Sequence, residues 1–108
     1  LDVNALNAAG ESALMLAAET AIATHRIPDA LTFARDARSI AMRDSLSDTR
    51  SAYVGEARLE EARALLASGD TSGARAALGR ARVALANGVG SADVRTRGAA
   101  ALSNALRP

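Results

Sequence analysis

The amino-acid sequence predicts an all-α domain, and its composition carries that prediction. Hydrophobic residues make up 49% of the 108 positions, yet 28 of these residues are alanine and only Phe33 and Tyr53 are aromatic. Alanine has the highest helix propensity and is depleted in strands, where β-branched residues are favoured. A chain of this length forms one domain on the usual scale. We therefore expect a single domain, 1–108, of about five thin, closely packed helices.

The first helical hairpin is predicted over about residues 3–43. Pro28 lies near the start of its second helix, where a missing N–H is tolerated. His25 falls in the turn before that helix, so we expect it to be an exposed turn residue. Apolar side chains in the second helix follow the spacing of one helix face. They are Ala30, Phe33, Ala34, Ala37, Ile40 and Ala41.

The second hairpin is predicted over about residues 46–87. A helix over 52–67 is followed by Gly69, which suits a left-handed helix stop, and by Asp70 or Thr71 as the cap of the next helix. The next helix repeats the apolar spacing of the first hairpin, with Ala74, Ala77, Leu78, Ala81, Ala84 and Leu85. We expect Leu78 to be among the most buried residues.

A fifth, capping helix is predicted over about residues 91–106. Asn87, Gly88 and Gly90 mark the end of the helix before it. The two hairpins are also related in sequence, because the segment 25–37 aligns without a gap to the segment 69–81, 44 residues later. Internal similarity at a fixed period is typical of stacked helical repeats, and a lone final helix covers the exposed end of such a stack.

The segment 59–81 resembles a tetratricopeptide repeat. The matching positions are Ala62 and Leu65 on the first helix, Gly69-Asp70 in the turn, and Ala74, Leu78 and Ala81 on the second helix. The family's terminal proline is absent, and Leu14 and Arg58 stand where it has an aromatic residue. The resemblance implies a right-handed stack of two hairpins whose first helices line a groove for an extended or helical segment of a protein partner.

In that arrangement, the groove is lined by helix positions that core packing does not use. Apolar positions beside them complete the lining. The predicted set is Ser12, Met15, Glu19, Ile22, Glu56, Arg63, Leu66 and Arg107. Arg63 and Arg107 are expected to anchor carboxylates of the partner. Two other architectures remain open: segment 2–18 resembles the opening turn and first helix of an ankyrin repeat, and alanine-rich helices also form unrelated bundles of four or five helices.

The residue inventory excludes several kinds of chemistry. The chain has no cysteine, one histidine and no lysine, so thiolate sites, histidine clusters for zinc, P-loop chemistry and Schiff bases are unsupported. We expect no catalytic residues, no bound metal and no cofactor. Glu56, Glu60 and Glu61 could be imagined as paired carboxylates, but arginines three residues away indicate an ordinary solvated helix face with Arg58 and Arg63.

Charge is distributed unevenly along the chain. The net charge is +1, but residues 1–70 carry seven arginines and eleven acids, whereas residues 71–108 carry six arginines and one acid. The alternative function is therefore a nucleic-acid-associated helical domain using this basic C-terminal third, in which Arg75, Arg80 and Arg82 could contact phosphates. The aromatic residues that stack on bases are lacking, however. Head-to-tail self-association is also compatible with this asymmetry.

The expected role is a non-enzymatic interaction or scaffold module within a larger bacterial-type protein or assembly. No run of about 20 apolar residues is present, so no membrane span is predicted. The chain begins with Leu1, as a fragment or a processed form would, and zero cysteine suits the cytoplasm and the periplasm equally. The sequence itself does not name a partner.

Overall fold

The computed structural model describes residues 3–43 and 52–106, with side chains from Ala9 onward, and it confirms the all-α prediction. Five helices hold 88% of the described residues, and no strand occurs among them. The helices are α1 (Val3–Ala23), α2 (Ile27–Arg43), α3 (Ala52–Ala67), α4 (Thr71–Val89) and α5 (Val94–Ala105). None of them is long and apolar enough to cross a membrane.

The helices pack as two antiparallel pairs with one helix at the centre. Helix α1 packs on α2, and α3 packs on α4. Helix α3 also contacts α2 and α1, and α5 packs on α4. Since α3 has neighbours on three sides, little of its surface is left for solvent.

The turns inside the two pairs share one geometry. His25 and Gly69 both adopt a left-handed backbone, with φ of 61° and 89°. In each turn the next N–H donates to a carbonyl five residues back, the pattern of a Schellman helix end. These bonds join Arg26 to Ala21 at 2.7 Å and Asp70 to Leu65 at 2.9 Å. The expected helix stop at Gly69 is confirmed, and His25 is exposed as predicted.

Side-chain caps fix where α4 and α5 begin. Asp70 accepts a hydrogen bond from the Gly73 N–H at 2.8 Å, which confirms it as the cap of α4. Asp93 accepts one from the Arg95 N–H at 2.8 Å, so α5 begins after it rather than at residue 91. Helix α4 continues past the predicted residue 87 and ends before Gly90, whose φ is 89°. The predicted start of the second hairpin near residue 46 lies outside the described residues.

The main core lies between α3, α4 and α5. Leu78 is only 1% exposed, which confirms the expectation that it is among the most buried side chains. The other buried members of this cluster are Leu59, Ala62, Ala77, Ala81, Leu85 and Ala99. Helices α3 and α4 approach closely at Gly55, where an added Cβ would lie 2.7 Å from Cγ of Leu85. A larger residue at Gly55 would therefore force the two helices apart.

A smaller cluster joins the first pair to α3. Its buried members are Ala21, Ala30 and Ala64, with Ile22, Leu31 and Phe33 packed around them. Ala30 is fully buried, as is Ala74, its counterpart 44 residues later. Alanine at these positions lets the helix axes approach, so α1 and α3 come to lie side by side and together form one surface.

Candidate functional site

Two adjoining depressions open on the surface formed by α1, α3 and α5. The first, between α1 and α3, has a volume of about 410 Å³ and is lined by Glu19, Ile22, Glu60, Arg63, Leu66 and Ala67. The second, about 280 Å³, reaches α5 and is lined by Met15, Glu19, Glu56, Leu59, Arg63, Val94, Arg95 and Gly98. Glu19 and Arg63 line both, so the two depressions adjoin at these side chains. We call this surface the α1–α3–α5 groove.

Six of the eight predicted groove residues are brought together here. They are Met15, Glu19, Ile22, Glu56, Arg63 and Leu66. Ser12 is exposed on α1 but lines neither depression. Arg107 lies outside the described residues.

Sequence reasoning missed Glu60 and Arg95 as groove residues. Glu60 lies four residues after Glu56 on α3, so the helical spacing that selects Glu56 and Arg63 also places Glu60 on the same face. That signal was present in the sequence. Arg95 had no comparable signal, because its place in the groove depends on how α5 packs against α3.

Glu60 forms a buried carboxyl group at the boundary of the first depression. Its side chain is 0% exposed, and its Oε1 accepts a hydrogen bond from Nη1 of Arg63 at 2.7 Å. Its Oε2 accepts no hydrogen bond from any described residue. Burial raises the pKa of Glu60 above its ordinary value, the nearby Glu19 carboxyl adds to the rise, and Arg63 opposes it. The Glu60 carboxyl is therefore short of compensating positive charge.

The expectation of a solvated acidic face on α3 is wrong. Glu60, Glu61 and Arg58 are all buried, although the i,i+3 pairing of Arg63 with Glu60 does form. The reason is that α3 lies at the centre of the fold, so the charged side of the helix faces protein. Glu61 accepts hydrogen bonds from Arg35 and Arg38 of α2, each at 3.0 Å. A buried charge needs such a partner, because losing water is costly for an unpaired ion.

Arg95 ties α5 to α3 at the far end of the groove. Its Nη1 donates to Glu56, and its Nε donates to Oδ1 of Asp93 at 3.0 Å. The hydrogen bonds from Arg95 hold the pKa of Asp93 below its ordinary value. Glu56, half-buried, is thus already paired, and the second depression is closer to charge balance than the first.

Glu11 of α1 is a second buried carboxyl group, and it lines neither depression. The side chain is 1% exposed, and neither oxygen accepts a hydrogen bond from the described part of the chain. Burial, and after it the charge of Glu56, raises the pKa of Glu11 from 4.5 to about 7. At neutral pH this group is close to half protonated.

The basic residues considered for phosphate binding have structural contacts of their own. Arg75 donates to the carbonyl of Leu106 through Nε at 3.0 Å and Nη2 at 2.7 Å. Arg82 donates to Oγ of Ser103 at 3.3 Å. Two of the three arginines on α4 therefore hold the end of α5, and Arg80 remains exposed. Within the described ranges, no three potential metal ligands lie close enough together to hold an ion.

No protein-family model matches this chain, and no curated protein or solved structure matches it either. The resemblances to tetratricopeptide and ankyrin repeats therefore stay predictions. The functional interpretation depends on the groove's own geometry and charge.

Proposed function

We propose that this chain is a non-enzymatic interaction module that holds a segment of a protein partner in the α1–α3–α5 groove. The observation that carries the proposal is that two depressions adjoin on this one surface, with Glu19 and Arg63 lining both. Apolar side chains, Met15, Ile22 and Leu66, alternate there with charged ones. That mixture is typical of a surface that recognises a polypeptide, whose backbone and side chains offer both kinds of contact.

The helix arrangement supports the same proposal. Two helical pairs with matching turns lie side by side, and α1 and α3, the first helix of each pair, share one surface with α5. This is the arrangement expected of a tetratricopeptide-like stack, which we retain as the proposed architecture. In such a stack the groove-lining helices present a concave face long enough for several residues of a partner.

The sequence predicts that Arg63 anchors a carboxylate of the partner, but in the structure Arg63 pairs with a carboxylate of the chain itself. Its guanidinium already pairs with the buried Glu60, so an Arg63→Glu variant would remove that partner and place a second carboxyl group beside Glu60. Loss of binding in that variant would be confounded with loss of folding. Glu19 is the better position, because it is exposed and lines both depressions.

The test compares three forms of the chain on affinity columns exposed to a lysate of the source organism: the wild type, Glu19→Arg and Asp36→Arg. Asp36 is an exposed residue of α2 that lines neither depression, so Asp36→Arg makes the same charge change elsewhere. We expect a protein retained by the wild type and by Asp36→Arg to be lost from Glu19→Arg. Calorimetry with that purified protein should show affinity weakened by about tenfold or more.

Retention that is equal on all three columns, or absent from all three, contradicts the groove. Nucleic acid retained in place of protein also contradicts it, and a steep loss of affinity with salt would identify that case. Circular dichroism of the three forms checks that each is folded. Glu19→Arg should fold, since the new guanidinium lies beside the under-compensated Glu60.

A further inference from the structure

We infer that the first depression of the groove, between α1 and α3, is a pocket for a lysine side chain of the partner, with Glu19 and Glu60 receiving its ammonium group. This inference rests on the proposed function, since it names the kind of residue that the groove would take. It adds a specific pair of acceptors and a chemical class of ligand.

The first argument is the number of free acceptors. Arg63 occupies Oε1 of Glu60, which leaves Oε2 of the same carboxyl without a donor among the described residues. The carboxyl of Glu19 lines the same depression as Glu60 and contributes two further oxygens. An ammonium group carries three N–H donors around one compact charge. Oε2 of Glu60 and the two oxygens of Glu19 are thus as many acceptors as an ammonium group has donors.

The second argument is the charge balance of the pocket. Glu19 and Glu60 bring two negative charges when both are ionised, and Arg63 brings one positive charge. The pair Glu56 and Arg95 in the adjoining depression is balanced internally. Two ionised carboxyl groups that line one pocket repel one another unless a proton or a cation compensates them. An ammonium ion would take the place of that proton, which would leave for the solvent.

The third argument is the shape of the approach. Ile22, Leu66 and Ala67 line the same depression and are apolar. A lysine side chain has a stem of four methylene groups that packs along such surface while its charged end reaches a polar site. Arginine fits less well, because its planar fork favours two oxygens of one carboxylate, and Arg63 already occupies one of them. Glu19 is exposed, so a change of its rotamer can admit the ammonium group to Glu60, which lines the same depression.

The test uses n-butylamine, which reproduces the stem and ammonium group of lysine, and n-butanol as the uncharged control of equal length. Each is titrated at pH 7 into the full chain labelled with carbon-13 at the glutamate carboxyl groups. We expect the amine alone to give saturable shifts of the Glu19 and Glu60 signals at millimolar concentration. The same titration on Glu60→Gln should require about tenfold more amine.

Glu60→Gln keeps the shape of the side chain and still accepts from Arg63. If that variant does not fold, Glu19→Gln gives the same test from an exposed position, and Asp36→Asn is the matched control that should bind like the wild type. Equal shifts with the alcohol, or unchanged amine binding in the folded pocket variants, would overturn the inference. The titration needs no partner, so it tests the lysine pocket separately from the groove. If the amine does not bind but Glu19→Arg still loses the partner protein, the pocket is refuted and the groove is not.

Discussion

Helices α1 and α3 hold equivalent places in the two hairpins, yet several of their equivalent positions differ sharply in exposure. In the alignment over 44 residues, Leu16 of α1 corresponds to Glu60 of α3. Leu16 is 64% exposed and Glu60 is fully buried. Around them, Ala13 and Thr20 of α1 are exposed, while their counterparts Ala57 and Ala64 on α3 are buried. Burial here follows the number of neighbouring helices, because α3 is enclosed on three sides and α1 is at the edge.

The buried charges of α3 have a consequence for how the hairpins fit together. Glu61 accepts from two arginines of α2, so the first and second hairpins are joined by charged hydrogen bonds as well as by alanine packing. Apolar contacts between small residues are tolerant of sliding, whereas an ion pair requires one relative position. We interpret the ion pairs of Glu61 with Arg35 and Arg38 as fixing the register of α3 on α2. Setting a register is the best-attested role of buried polar and ionic groups.

Substitution of a buried residue should lower the free energy of unfolding far more than substitution of an exposed one, and we expect the largest loss at Leu78 in the second hairpin. Leu78→Ala removes a side chain that is 1% exposed and leaves a cavity among α3, α4 and α5. We expect the free energy of unfolding to fall by about 2–5 kcal/mol. Urea denaturation of the purified chain measures this directly. For a small domain that loss is a large share of its total stability.

Arg80→Ala is the control for Leu78, because Arg80 is exposed on the same helix. Its expected effect is within about 0.5 kcal/mol. A loss at Arg80 equal to that at Leu78 would mean that the buried face of α4 has been assigned to the wrong side.

The next effect concerns Glu11, the buried carboxyl of α1 that lacks the arginine partner found for Glu60 and Glu61. Its folded-state pKa of about 7 lies above the ordinary value of 4.5. The folded chain therefore holds a proton that the unfolded chain releases between these pH values. Stability from this group is complete below pH 4.5 and is lost as the pH rises to about 7, a total of about 3 kcal/mol.

Glu11→Gln should remove that pH dependence, because an amide carries no ionisable proton. We expect the variant to be more stable than the wild type at pH 8 and similar to it at pH 5. Asp36→Asn serves as the control at an exposed carboxyl and should follow the wild type at both values. Urea denaturation at several pH values makes the comparison. Parallel curves for Glu11→Gln and the wild type would contradict a raised Glu11 pKa in the folded chain.

Helix existence and most helix ends could be predicted from the sequence because their causes are local. The helix over 52–67, the stop at Gly69 and the cap at Asp70 depend on propensity, a positive φ and one side-chain hydrogen bond, all set by neighbouring residues. The predicted start of α5 near residue 91 is three residues early, because Asp93 supplies the cap and the helix begins at Val94.

The candidate site could be predicted only in part. Helical spacing selected Glu56, Arg63 and Leu66, which share one face of α3 and line the groove. Spacing could not indicate that Glu60 is buried, because that depends on α1 lying against α3. It also gave no indication of Arg95, whose contact with Glu56 comes from the packing of α5. Relations inside a helix follow from sequence, whereas relations between helices require the fold.

The smallest effect is expected at Leu16, the exposed counterpart of Glu60. Leu16→Ala removes apolar surface that mostly faces water, so the free energy of unfolding should change by no more than about 0.5 kcal/mol. The measurement is urea denaturation at two protein concentrations tenfold apart. A loss close to that of Leu78→Ala, with a wild-type midpoint that falls on dilution, would mean that a second copy of the chain covers this face of α1. The difference in exposure between α1 and α3 would then exist only in the isolated monomer.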